Sequence, residues 1–389
     1  MKQEIRYITT DTELKDVAQG LSQKDIIFID TEFDKNHFKY GFHLCLIQIS
    51  DGTTCYLIDP IGESMNLKSI YAILENPKII KVGYAFSEDM RLFYYLGVHP
   101  THVFDLAIGF SLLNNPILSL GNALATYLDI HAKQQKSSSQ QKSNWFLRPL
   151  TQDQMEYAAN DVLYLSKLYE FLTHTLYKSH RFSWMEEEME AFERASWDDG
   201  EVSNFLLYKD QKILTKIEWM RFERLMVLRE NFGKQMDKPT YKVLNKDIVF
   251  ELAQNPHIIR DWLILKGIHP KIKTVDTQKK IEGILMEVEN EAQQKQIKAD
   301  QLSIDIISRE EKNIQREKQR RIKEMSERFF LPVKEWLEKE YGEHLTHYFL
   351  SNKRVIQYAG GERELLHYQK ELVMEAVKAL NIQQIPSLF

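Results

Sequence analysis

Residues Ile26 to Phe33 read IIFIDTEF. Four apolar residues run without a break into Asp30, and Glu32 follows two places on. A short run rich in β-branched residues is the pattern of a strand buried on both faces. Side chains alternate along a strand, so Asp30 and Glu32 share a face. Two carboxylates at the end of a buried strand are costly unless positive charge sits between them. Divalent cations are the natural candidates. Asp-x-Glu is also a common triplet, and a strand end surfacing into a loop accounts for it equally well.

Around this strand, residues 1–195 alternate strand-like and helix-like segments. Thr10 to Leu21 reads as a helix, with Thr10 as N-cap and Glu13 completing a capping box. HLCLIQIS (His43 to Ser50) and TCYLIDP (Thr54 to Pro60) flank the turn Asp51-Gly52 and predict an antiparallel hairpin. IIKVGY (Ile79 to Tyr84) is a further strand, followed by a helix from Ser87 to Leu96 that Gly97 ends. Val103 to Leu106 is the last of five predicted strands, giving a mixed α/β sheet with flanking helices. Lys133 to Ser143 is a Lys/Gln/Ser tract without apolar period, expected as a mobile surface loop. Beyond Trp145 and Phe146, Thr151 and Gln154 open a helix on which Met155, Ala158, Ala159, Val162, Leu165 and Leu168 repeat at helical spacing.

From residue 212 the pattern is purely helical. Leu214 to Glu230, Asn245 to Gln254 and His257 to Leu265 form one group. Ile281 to Phe330 is one long, charged, helix-compatible stretch with the basic run Arg316, Lys318, Arg320, Arg321 and Lys323. Val333 to Tyr341 and Glu364 to Leu380 follow as further helices.

The chain has 389 residues and a formal net charge of -5, so it is not a generic polyanion binder. Contact with nucleic acid would have to come from a local basic surface or from metals. Its two cysteines, Cys45 and Cys55, form neither metal-ligand spacing nor a disulfide framework, which fits a reducing compartment. The start, MKQEIRYITTDTEL, lacks the apolar core of a signal peptide, and no apolar run is long enough to span a bilayer. The expectation is a cytoplasmic, monomeric protein with no membrane partner.

Three positions extend the first carboxylate pair. Asp89 lies in the first turn of the helix after IIKVGY, near the strand ends where open α/β sheets place ligands. Taken singly, Glu88 and Asp89 need only complement the helix dipole. Asp161 follows Tyr157 by four residues, so the two share a helix face, as an exposed Asp and a half-buried Tyr also would. In combination, Asp30-x-Glu32, then Asp89, then Tyr157-x-x-x-Asp161 resembles the tyrosine-containing branch of the DEDD exonuclease superfamily. LIQISDG, LIDP, FSEDM and WFLRPLTQDQMEYAANDVLYL stand as they do in the ribonuclease D family. Trp219 to Pro256 (WMRFERLMVLRENFGKQMDKPTYKVLNKDIVFELAQNP) resembles a helicase-and-RNase-D C-terminal (HRDC) bundle.

That resemblance implies a ribonuclease H-like exonuclease domain over 1–195 with a mixed five-stranded sheet. It implies an all-α HRDC bundle over 207–290, a charged helical linker over 291–324 and a helical, HRDC-like C-terminal domain over 325–389. It implies two divalent ions, Mg²⁺ or Mn²⁺, since the donors are oxygens and no Cys/His cluster invites zinc. By analogy Asp30 bridges both ions, Glu32 and Asp161 complete one site, and Asp89 holds the other through water. Tyr157 orients the attacking water; a phenol with an ordinary pKa of about 10 is a poor base at neutral pH. Phe33, Gln48, Arg148 and Trp145 are candidate contacts to the terminal nucleotide, each with an alternative role in packing or backbone hydrogen bonding. The implied activity is a 3′→5′ exoribonuclease releasing nucleoside 5′-monophosphates from RNA with a single-stranded 3′ end, such as tRNA precursors. An exonuclease acting on DNA, and a catalytically idle nucleic-acid-binding scaffold, remain as alternatives. The sequence departs from the family in carrying Asn144 where Asp usually precedes the Trp.

Overall fold

The computed structural model describes residues 4–62, 65–130, 140–197, 206, 208–303 and 309–383. Its sheet has six strands: β1 (Glu4–Ile8), β2 (Ile26–Lys35), β3 (Phe42–Ser50), β4 (Thr54–Ile58), β5 (Ile80–Gly83) and β6 (Val103–Asp105). They are ordered β1-β4-β3-β2-β5-β6. The sheet is mixed: β3 and β4 form the expected antiparallel hairpin, while β1 runs parallel to β4, and β2, β5 and β6 run parallel to one another. The strand absent from the five-strand expectation is β1. It lies at the sheet edge, where Glu4, Ile5 and Arg6 are exposed, and five residues with an apolar side chain left in solvent make a weak strand signal.

Helices cover the sheet. α1 (Asp11–Leu21) carries the capping box of Thr10 and Glu13, and α2 (Lys68–Leu74) buries Ile70, Ile73 and Leu74. α3 (Ser87–Tyr95) follows β5, and α4 (Leu106–Leu112) follows β6 with Asp105 as its N-cap. α5 (Leu120–Leu128) precedes the Lys/Gln/Ser tract, of which residues 133–139 lie outside the described residues. α6 (Gln152–Leu163) opens with the capping box of Thr151 and Gln154 and packs on β4. On α7 (Leu165–Lys178), Tyr169 meets Phe28 of β2 edge-on at 6.3 Å and Phe104 of β6 at 5.0 Å. This helix therefore lies over the face of β2 that carries Phe28 and, by alternation, Asp30 and Glu32.

The chain forms two compact units: Met1–Glu32 with Leu44–Trp197 and Lys312–Phe389, and Phe33–His43 with Asp198–Glu311. In the first unit the last helices join the same hydrophobic core as the sheet, through Phe329, Phe330, Leu337, Phe349, Tyr368 and Val373 among others. Glu188, on α8 (Phe182–Glu193), is buried. It accepts hydrogen bonds from the Tyr348 hydroxyl at 2.7 Å, the Tyr368 hydroxyl at 2.6 Å and Gln369 Nε2 at 2.8 Å. A buried carboxylate satisfied this way ties distant segments together, because removing any partner leaves a desolvated charge. Asn114 Oδ1 accepts the amides of His344 at 2.9 Å and Leu345 at 3.2 Å, capping the helix Glu343–Phe349 from outside.

The second unit has its own core, built on the helices Lys216–Met236, Lys246–Gln254 and Val275–Gln294 around the fully buried Trp262. It includes the β2–β3 connection: Tyr40 donates to Glu230 Oε2 at 3.2 Å, and Lys242 Nζ to the His37 carbonyl at 2.5 Å. The stretch read as one long helix from Ile281 is interrupted. Its first part ends at Gln294, and Gln296 takes a left-handed φ of 52°. Lys216 N–H then bonds the Gln301 carbonyl at 2.7 Å, and helix resumes at Arg309. Among the described residues, no helix is long and apolar enough to cross a membrane.

Gly342 has φ 97° and ψ 159°, a conformation essentially restricted to glycine. A Cβ there would also lie 1.9 Å from Asn114 Nδ2. Gly342→Ala is expected to cost roughly 1–3 kcal/mol, read as a lower urea midpoint at an unchanged slope.

Candidate active site

The parallel trio β2, β5 and β6 ends at one edge of the sheet, and the carboxylates gather there. The β2–β5 pairing runs through Phe28 opposite Val82, so Asp30 and Glu32 continue beyond it. Asp89 arrives in the first turn of α3 and Asp161 near the end of α6. Asp30, Glu32 and Asp161 each offer a carboxylate oxygen, and the three lie within 4.8 Å of one another. Asp89 joins through Thr31, whose hydroxyl donates to Asp89 Oδ1.

Like charges held this close shift each other's titration. Burial, then the charges of Asp89, Asp161 and Glu32, push the Asp30 carboxyl well above its ordinary range. Burial, with Asp161 and Asp89, does the same to Glu32. Burial raises Asp89 to about 7 against the opposing Thr31 hydrogen bond, and raises Asp161 to about 7 against the bond from Tyr157. Burial and the neighbouring Asp161 move the Tyr157 phenol in the same direction, above its usual value, so it stays protonated, donating to Asp161 while its oxygen keeps the capacity to accept. No lysine or arginine pairs with any of these four carboxylates among the described residues. The donor set is all oxygen, anionic and short of positive charge, which fits hard divalent cations.

The other sequence candidates are placed as follows. Phe33 packs edge-on against Phe42 at 5.2 Å. Gln48 is fully buried on β3, and neither of its amide atoms has a hydrogen-bond partner among the described residues. Trp145 is 3% exposed, so it presents no open face for a base; its ring centre lies 6.1 Å from that of Tyr157. Arg148 spends all five N–H groups inside the protein. Nε and Nη2 grip Asp59 at 2.5 and 2.6 Å, and the Cys45, Trp145 and Leu147 carbonyls take the rest. A phosphate contact from Arg148 therefore requires one of these bonds to be released. Against the upward push of burial, Arg148 and the Tyr7 hydroxyl hold the Asp59 carboxyl below its usual value. This clamp fixes the segment that leads into α6 with Tyr157 and Asp161. Asn144 Oδ1 accepts the Phe146 amide at 3.1 Å, an Asx turn that needs only a side-chain carbonyl oxygen and so is open to Asn or Asp alike.

Two residues around the carboxylates escaped the sequence reading. Thr31, inside the Asp-x-Glu triplet, belongs by alternation to the opposite face of β2. Asp105 accepts the amides of Ala85 at 2.8 Å, Phe86 at 2.9 Å and Ala107 at 2.9 Å. Its available signal was that of an Asp preceding an apolar helix.

A family model described as a 3′-5′ exonuclease matches residues 5–177. A ribonuclease D of Bartonella henselae is 31% identical over 271 residues, covering 68% of this chain and 65% of its own length. One of Xanthomonas oryzae pv. oryzae is 30% identical over 260 residues, covering 66% of this chain and 70% of the relative. The chain thus spans just under two thirds of the Bartonella protein and 47% of a similar ribonuclease D from Shewanella. The crystal structure of Escherichia coli RNase D superposes with a TM-score of 0.65 at 22% identity, covering 99% of this chain and all of that one.

The raised carboxyls set a sign for stability. In the metal-free protein Asp89 and Asp161 keep their protons up to about 7, whereas the unfolded chain releases them near the ordinary aspartate value of 3.8. The native state binds more protons in that window, so stability falls as pH rises through it. Metal-free protein is expected to melt several degrees lower at pH 8 than at pH 5.5. Added Mn²⁺ should raise the melting temperature more at pH 8 than at pH 6, and Asp161→Asn should flatten both trends.

Proposed function

The chain belongs to the ribonuclease D family, and on that premise we propose that it is a divalent-metal-dependent 3′→5′ exoribonuclease. It would release nucleoside 5′-monophosphates from RNA with a single-stranded 3′ end, with tRNA precursors the leading substrate class. The observation that carries the reading is the convergence of Asp30, Glu32 and Asp161 within 4.8 Å, with Asp89 linked to them through Thr31. We also propose that residues 207–290 are the HRDC bundle, and that the protein works in the cytoplasm as a monomer.

In this reading Asp30, Glu32, Asp89 and Asp161 are the residues that would hold Mg²⁺ or Mn²⁺. When bound, the two cations neutralise charge developing on the phosphoryl oxygens and ease deprotonation of the attacking water. The carboxylates themselves must be ionised to serve, so the raised values of Asp89 and Asp161 make metal binding release protons. Tyr157 stays a phenol at neutral pH. It aligns Asp161 through their hydrogen bond and offers its hydroxyl to the attacking water as an orienting group. The residues come from three packed elements, β2, α3 and α6, so positioning rests on the fold and not on a loop.

Asp30→Asn is expected to lower kcat on a 3′-hydroxyl RNA by roughly a thousandfold or more, since several kcal/mol of charge stabilisation depend on the cations it holds. Tyr157→Phe should lower kcat by roughly a hundredfold while leaving Mn²⁺ affinity near wild type. Matched RNA and DNA oligonucleotides, digested side by side with Mg²⁺ or Mn²⁺, test the substrate class. Faster hydrolysis of DNA would overturn the ribonuclease reading, and equal turnover by wild type and Asp30→Asn would overturn the site.

A further inference from the structure

Asp89 stands apart from the other three carboxylates in what holds it. Its helix α3 begins at Phe86, an N-cap without a side-chain hydrogen bond. Helices whose first amides lack a partner fray at that end, and Asp89 lies within this first turn. The turn that leads into this helix is instead held from the neighbouring strand. Gly83 of β5 pairs with Asp105 of β6, and the Asp105 carboxylate accepts the amides of Ala85 and Phe86 at 2.8 and 2.9 Å. The same carboxylate caps its own helix α4 through Ala107 at 2.9 Å. One buried side chain, 2% exposed, therefore fixes the start of two helices.

The turn it grips does not hold itself. Ala85 is a non-glycine residue at φ 55°, in the left-handed region. A Cβ on Gly83 would lie 2.5 Å from the Phe86 ring, so the chain folds back tightly on itself before α3. On the other side of Asp89, the Thr31 hydroxyl donates to Oδ1 and fixes the plane of the carboxylate. Strand β2 thus serves the site from both faces: Asp30 and Glu32 from one, Thr31 from the other.

We infer that Thr31 and Asp105 are positioning residues that set Asp89 for divalent-cation binding, Thr31 by orienting its carboxylate and Asp105 by anchoring the turn that delivers it. The inference rests on the metal-dependent reading above. Outer partners of metal ligands typically govern about 10- to 100-fold in metal affinity or activity.

The test is Mn²⁺ titration by calorimetry at pH 7.5 on wild type, Thr31→Val, Thr31→Ser, Asp105→Asn and, as control, Asp30→Asn. It is paired with steady-state kinetics on a 3′-hydroxyl RNA. Thr31→Val keeps the shape and loses the hydroxyl; it should bind Mn²⁺ roughly tenfold more weakly, with lower kcat and unchanged KM for RNA. Thr31→Ser should restore affinity to within about twofold of wild type. Asp105→Asn should also weaken Mn²⁺ binding, and Thr31→Val carries the test if that buried substitution prevents folding. Weakened binding by Asp30→Asn together with wild-type affinity in folded Thr31→Val overturns this inference alone. Undiminished binding by Asp30→Asn overturns the metal site, and the inference with it.

Discussion

Four carboxylates share one largely buried corner of this protein, and among the described residues no basic side chain pairs with them. Coulomb repulsion at such separations is large in a medium of low effective dielectric, so the metal-free chain keeps protons on groups that water would strip. The surrounding structure has to resist this repulsion. It does so with strands and helices anchored in a continuous apolar core, and with hydrogen bonds spent on second-line residues. The site is therefore a place where packing energy elsewhere holds open a demand for positive charge.

The demand is met by dividing the ligands among separate elements. Asp30 and Glu32 come with a strand end, Asp89 with a first helical turn, and Asp161 with a helix whose entry is clamped by Arg148 on Asp59. The clamp joins residues 89 positions apart, and the bond from Thr31 to Asp89 spans 58. Long-range polar contacts of this kind convert the register of a sheet into the geometry of a site. An arginine that looks from sequence like a phosphate ligand is here fully employed in that conversion.

What the sequence displayed and what it hid follow physical lines. Strands buried on both faces announce themselves by apolar runs, and the capping boxes at Thr10 and Thr151 mark helix starts through local hydrogen-bond chemistry. The order Asp30, Glu32, Asp89, Tyr157, Asp161 was legible because each sits at a recognisable point of such an element. The edge strand β1 was not, because it is only five residues long and leaves Ile5 exposed beside Glu4 and Arg6, so no buried apolar run marks it. Thr31 was hidden by the carboxylates on either side of it, whose shared face drew the reading away from its own. The sharing of one core by the sheet and the last helices was equally invisible. It depends on Tyr368 meeting Glu188 across 180 positions, and no local pattern encodes that pairing.

That last contact also orders events in time. Domains emerge from synthesis beginning at the N-terminus and fold as units. The second unit has all its residues once the chain has passed Glu311, whereas the unit that carries the carboxylates still lacks Leu372, Val373 and Ala376 of its own core. Glu188 waits, uncovered, for partners made almost two hundred residues later. A nascent chain that has not reached Ala376 thus lacks part of the core beneath the carboxylates. Closure of the core beneath the carboxylates therefore waits on the helix His367–Ala379.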